Sequence, residues 1–318
     1  MSGFIARRLV ENALVLLVVS FLVYGLIGLM PGDPIDLMLQ ADPSLTSADV
    51  ARLKALEGLD RPLTERWLAW LGRAVQGDFG FSRLYAVPAA TVLADRLPNT
   101  LLLMGVSFVL ALAIALPAGI WAAARPHGLF DRAVTVVAVA GFSIPAFWLG
   151  MLLIILFAVE LGWLPAGGTA SLGGGGWLDR LRYLTLPVLN LTLLTAGIFL
   201  RFVRAAMQES LREPFVRTAR ALGCSEARVL LRHALPHAML PVLTMIALSF
   251  GSLFSGALVV ETTFAYLGVG KLIFDAILGS DFNLALLALM LATLVTLLSN
   301  LAADLAYAWL DPRISYDA

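Results

Sequence analysis

Apolar residues run through this chain in blocks of about twenty, without the alternation of a strand or the one-sided stripe of a surface helix. Five blocks contain no Asp, Glu, Lys or Arg: residues 99–124, 133–159, 184–200, 238–260 and 284–303. As helices, each is long enough to cross roughly 30 Å of hydrocarbon. A sixth block, 13–30, opens the chain. The fourteen Leu, Ile, Val and Phe residues between Leu9 and Met30 supply about 4–8 kcal/mol of insertion energy against one Glu11 at the mouth. Arg7 and Arg8 ahead of this block imitate a secretory leader. The block is too long for a leader core, however, and ends in Pro31-Gly32-Asp33-Pro34 rather than a small-residue cleavage site, so it is read as an uncleaved first span. The pattern predicts an all-α integral membrane protein of six transmembrane helices.

Arginine placement sets the expected orientation. Between Arg201 and His233 lie seven arginines against three glutamates, and the turn from Arg125 to Arg132 adds two more. Both segments are expected on the cytoplasmic side, together with Arg7 and Arg8. Six spans then place both termini in the cytoplasm and three segments outside, at 31–98, 160–183 and 261–283. The expected organisation is a first span with a long external segment (1–98), followed by a five-span core (99–318) with a cytoplasmic loop at about 201–236.

Local signals refine this picture. Pro117, Pro145 and Pro187 fall within the second to fourth spans and Pro241 near the start of the fifth. Each frees a backbone carbonyl and kinks its helix. Such kinks serve bundle packing, or they line a solute path; the second reading selects Phe142, Ser143 and Pro145, with Thr244, Ser249 and Ser252 of span five. In the first external segment, 46–57 reads as a capped helix stopped by Gly58. A second helix is expected at 64–76, where Trp67, Trp70 and Leu71 suit either the membrane interface or a docking partner.

Composition narrows the function. With 60% hydrophobic and 14% charged residues, and 22 basic against 22 acidic side chains, the chain has no net field to attract nucleic acid. One cysteine, Cys224, excludes an internal disulfide. Pumps driven by protons or sodium keep ionisable groups inside their spans, and the five blocks hold none. Gly270-Lys271 is the only Gly-Lys pair, but Ala265 and Leu272 stand where a phosphate-binding loop needs Gly and Ser or Thr. His233 and His237 have the spacing of a zinc pair, yet Pro236 lies between them and no Glu completes a catalytic set. They read as surface histidines, with no metal site. No nucleophile constellation stands out, which argues against an enzyme, and the missing charges argue against a passive or ion-coupled carrier.

The loop at 201–236 carries the most information. A short helix with small residues on one face, ending at Gly223, makes a knob that another protein's groove can grip; a basic loop that merely satisfies topology is the alternative. The spacing from Thr218-Ala219 to Gly223 and on to Leu235-Pro236 resembles the "EAA" loop of ABC importer permeases. The wider chain is similar to the dipeptide, oligopeptide and nickel permease family. The similarity is carried in order by Arg8-Leu9, Pro31 to Pro34, Gly58 to Leu63, Gly77 to Gly80, Ser143 to Trp148, Arg217 to Gly223, Arg232 to Ala234, Glu261 to Phe264, Asp304 to Tyr307 and Asp311 to Arg313. Arg217 stands where the general pattern opens with Glu, Leu222 where Lys is common before the Gly, and His237 where Asn is frequent.

The resemblance implies a type I ABC importer permease of the bacterial inner membrane, forming half of a pathway for peptides, nickel chelates, glutathione or a related solute. It implies no cofactor in this chain. The partners would be a second homologous permease, two cytoplasmic ATPases that bind ATP and Mg, an extracytoplasmic solute-binding protein and the lipid bilayer. Arg217, Thr218, Ala219, Arg220, Ala221, Gly223, His233, Leu235 and Pro236 would form the ATPase-coupling loop. At the end of span six, Asn300, Asp304, Tyr307 and Asp311 share one helical face. Asp304 there is expected either at the headgroup level or paired with Arg201 or Arg204. Without a phosphate-binding loop, the purified chain is expected to hydrolyse no ATP; turnover above a lipid-only control in an ATPase-free preparation would contradict this.

Overall fold

A computed structural model describes residues 2–29 and 61–310. The Pro31–Pro34 motif, the helix expected at 46–57, Gly58 to Asp60 and the Asp311 to Arg313 motif lie outside the described residues, as do the side chains of Phe142 and Tyr307. Eleven α-helices and no strand are found among the described residues. Five helices are long and apolar enough to cross a membrane, and six if one bent pair counts as a single span. The chain forms two compact units, Met1–Pro98 with Lys271–Val295 and Asn99–Gly270 with Thr296–Ala318.

In the first unit, α1 (Ser2–Ile27) is apolar on all faces beyond Asn12 and only 17% of its most apolar stretch is buried, leaving Leu14, Leu22 and Leu26 exposed to lipid or a partner. The amphipathic α2 (Leu63–Val75) packs on its last turns. Trp67 stacks edge-on to Phe21 at 5.3 Å and donates its indole N–H to Ser20 Oγ at 3.1 Å, while Trp70 lies 6.0 Å from Tyr24. Both tryptophans thus pack on the chain's own first helix. Beyond α2 the backbone turns at Gly77 (φ +83) and Gly80 (φ +77), where a Cβ at Gly80 would press on Asn283.

The second span begins earlier than the charge-free block: α3 runs Ala89–Ala124, starting in the first unit and taking in Asp95 and Arg96. An elbow at 125–128 leads to α4 (Leu129–Ser143). The third span, expected as one helix over 133–159, is broken. Ile144 is extended (φ −83, ψ 126) because the following Pro145 disfavours helical geometry before it and lacks an N–H. The chain restarts as α5 (Ala146–Leu153) and widens into a π-helical turn, Ile154–Glu160, with 105° between the two arms.

The fourth span is the axis of the second unit. α6 (Trp177–Ser210) runs through Pro187 and has 67% of its most apolar stretch buried, against α3, α4 and α5 and against α9 (Leu235–Thr263). It continues well past Leu200, so Arg201 and Arg204 stand on a helix rather than in a loop. α4 approaches α6 so closely that a Cβ at Gly197 would lie 3.1 Å from the Ala138 carbonyl and 3.2 Å from Gly141 Cα. The segment expected as an external loop at 261–283 holds a helix of its own, α10 (Val269–Leu278), before α11 (Phe282–Leu310) begins.

Because both walls of the Gly141–Gly197 contact are backbone, Gly197→Leu cannot be relieved by a rotamer change and is expected to cost about 1–3 kcal/mol. Thermal unfolding in detergent checks this: a midpoint equal to that of the native chain would mean the helices separate freely here.

Candidate functional site

The sequence-selected knob is present as α7 (Pro214–Ala221), with Pro214 at its first turn. Its end is built as the sequence demands. Gly223 takes φ +80, its N–H bonds the Arg220 carbonyl at 3.0 Å, and the Cys224 N–H bonds the Ala219 carbonyl at 3.1 Å, the double bond pattern of a Schellman cap. Val216 and Ala219 face inward onto Val203 and Met207 of α6 and Ala234 and Ala238 beyond. Arg217, Thr218, Arg220, Ala221 and Leu222 face out, with Leu222 79% exposed.

The return from the knob is braced separately. Arg220 gives Glu226 a bidentate pair at 2.9 and 3.0 Å, which holds its guanidinium above the ordinary value. After α8 (Glu226–Arg228), a π-helical stretch, Val229–Ala234, contains His233 and passes into α9 at Leu235 and Pro236. Pro236 therefore lies in the first turn of a helix, where its missing N–H costs least. Ser210 Oγ donates to the Ala234 carbonyl at 2.8 Å, tying the two ends of the loop together. The His237 ring stacks 4.4 Å from Phe215. Among the described residues no group of three or more His, Cys, Asp or Glu could hold a metal.

The expected pathway residues divide. Ser143 and Pro145 are exposed at the break between α4 and α5. On α9, Thr244, Ser249 and Ser252 hydrogen-bond carbonyls of their own helix, at Leu240, Met245 and Ser249 respectively. Arg204, one of the two arginines offered as a partner of Asp304, pairs with Asp131. Its guanidinium donates through Nε to Asp131 Oδ1 and through Nη2 to Oδ2 at 3.0 Å. Asp131, buried in the first turn of α4, also accepts the His127 N–H at 2.9 Å. Arg201 is exposed and Asp304 half-buried.

Residues 115–316 match the family described as the binding-protein-dependent transport system inner membrane component, and residues 1–104 match that family's N-terminal component. The chain belongs to this permease family. It is an inner-membrane transport component, not an enzyme. Similar along their whole length are the oligopeptide transport system permease protein AppB of Bacillus subtilis strain 168 (38% identical; 99% of this chain, 100% of that one) and the di/tripeptide permease protein DppB of Pseudomonas aeruginosa (36%; 99% and 99%). The glutathione transport system permease protein GsiC of Escherichia coli K12 is 39% identical (99% and 100%). Among solved structures, an inward-facing MetNI methionine ABC transporter chain superposes with a TM-score of 0.58 at 19% identity, over 70% of this chain and 97% of that one. The fold is that of a type I ABC importer permease.

Sequence reading passed over two further buried carboxylates in the permease. Glu261, fully buried near the end of α9, accepts the Thr100 hydroxyl at 2.6 Å and the Gly270 N–H at 2.7 Å, and Thr100 in turn accepts the Val269 N–H at 2.8 Å. A Cβ at Gly268 would overlap this carboxylate. Burial, with the charge of Glu261 adding to it, pushes the nearby Tyr266 hydroxyl up to about 12. In the first unit Asp281 caps α11 through the Leu284 N–H at 3.2 Å, and accepts Ser82 Oγ and the Leu84 N–H. The Asp281 cap was readable, since Asp three residues ahead of an apolar run is a helix-start signal. Asp131 and Glu261 flank charge-free blocks, and only the long-range fold supplies their partners. Glu261→Gln would turn a donor toward one of two donors already aimed at the carboxylate and is expected to cost about 1–3 kcal/mol; a thermal midpoint unchanged from the native permease would refute the network.

Proposed function

We propose that this permease forms half of the membrane pathway of an ATP-driven importer for di- or oligopeptides or a related small solute such as glutathione. A second homologous permease completes the pathway, an extracytoplasmic binding protein delivers the solute, and two cytoplasmic ATPases that bind ATP and Mg drive the transport. The observation that carries this reading is the α7 knob: a rigidly capped helix seated on a buried apolar base, with Arg217, Thr218, Ala221 and Leu222 directed outward. A loop that only satisfied topology would need neither the cap nor the base. The names of the full-length relatives support the solute class.

In this reading both termini and α7 face the cytoplasm, ATP closure pulls on α7, and the spans alternate between inward and outward openings. Ser143 and Pro145, with Thr244, Ser249 and Ser252, line the path, and Asp304 ties the last helix to α6 through Arg201. Gly223 tests the docking role. A Cβ there meets nothing within 4 Å, so its cost is confined to the left-handed backbone, about 1–2 kcal/mol. Gly223→Val is expected to insert normally while losing co-purification of the ATPase and solute uptake. Retention of both would sink the assignment.

A further inference from the structure

The expected coupling loop and the broken span are far apart in sequence, yet α4 and α6 bring them together and one ion pair locks that contact. We propose that Asp131 and Arg204 are a positioning pair that makes the α3–α4 elbow and the inner half of α6 move as one body, so that a pull on α7 reaches the break at Ile144-Pro145. The inference rests on the docking role proposed for α7.

Four contacts carry it. The carboxylate of Asp131 is almost wholly buried, its side chain 4% exposed, and takes both forks of Arg204. The same carboxylate accepts the His127 N–H, so one acid closes the elbow and binds it to α6. On the other arm of the elbow, a Cβ at Gly119 would lie 2.8 Å from Val203, the residue preceding Arg204, so α3 rests directly on the same turn of α6. Two turns further along, Gly141 and Gly197 bring α4 and α6 into backbone contact. α4 is therefore pinned to α6 at Asp131 and again at Gly141, and it ends at the break only a few residues later. At the opposite end α6 leads through Leu211 to Glu213 into α7, whose buried face packs on Val203 and Met207.

A bidentate Arg–carboxylate pair suits this role better than apolar packing. Its geometry is directional, and parting it in a low-dielectric setting strands a charge, so the elbow resists sliding along α6. At the other hinge, Ile144-Pro145, the proline offers no donor, and Asn190 of α6 donates to the Ala146 carbonyl at 3.1 Å just beyond it. Displacement imposed on α6 is thereby carried to the break, where Ser143 and Pro145 are exposed.

The test uses the reconstituted importer, permease with its membrane partner and ATPases. Cys224 is replaced by Ser, and nitroxides are placed at the exposed Leu129 on the elbow and the exposed Glu209 at the end of α6. In the native pair the label-to-label distance is expected to stay the same between nucleotide-free and nucleotide-trapped states. In Asp131→Asn it is expected to change or broaden, while the ATPase still co-purifies and solute moved per ATP hydrolysed falls by about five-fold or more. Asp131→Glu should restore most of the coupling. If Asp131→Asn reduces the protein in the membrane, Arg204→Lys, which keeps the charge but loses the fork, carries the same measurements. An unchanged distance and unchanged transport per ATP in these variants would overturn the positioning role with docking intact. Failure of the native permease to retain its ATPase would instead overturn the docking reading.

Discussion

A charge inside a bilayer protein persists only where the protein itself answers it, and the polar architecture of this chain is arranged around that constraint. Asp131, Glu261 and Asp281 are each buried, and each gathers donors from segments that are not its immediate neighbours: Arg204 for the first, Thr100 and Gly270 for the second, Ser82 and Leu84 for the third. Every one of these acids lies at a helix end where the chain turns. The apolar middles of the helices need only pack, while the turns must be fixed in angle and register, and hydrogen bonds to a buried carboxylate do that directionally.

The α7 knob obeys a more local code. Its length is set by Pro214 at one end and Gly223 at the other, and its seat by Val216 and Ala219. Because Arg220 is braced by Glu226 on the exposed side, the two limbs of the loop keep a fixed separation without enlarging the apolar base. An exposed ion pair contributes little stability by itself. Here its bidentate geometry orients the limb rather than strengthening it.

The apolar spans, their helical character and the knob were legible because each depends on residues close in sequence: apolar blocks for the spans, Gly223 for the cap, the Arg-rich stretch for the loop. The family resemblance rested on the same short-range motifs. What escaped was set by long-range pairing. Arg201 and Arg204 were both offered as partners of Asp304 because all three stand near helix ends, and the pairing of Arg204 with Asp131, 73 residues away, could not be read from the sequence. Trp67 and Trp70 were read for lipid headgroups or a docking partner, and their contacts with Phe21 and Tyr24 of α1 had no signal in the sequence. Pro145 was read as a kink; that it ends one helix and starts another at 105° depends on the space available to α5 beside α6 and α9.

The hook of α2 on α1 bears on how the protein is made. Ser20 and the Trp67 that grips it are 47 residues apart, so during synthesis α1 reaches the bilayer well before its clasp exists. For that interval it must survive as a solitary helix dissolved in lipid, as the first stage of two-stage membrane assembly requires. Its uninterrupted apolar surface, of little use for packing in the finished fold, is what such a waiting period demands.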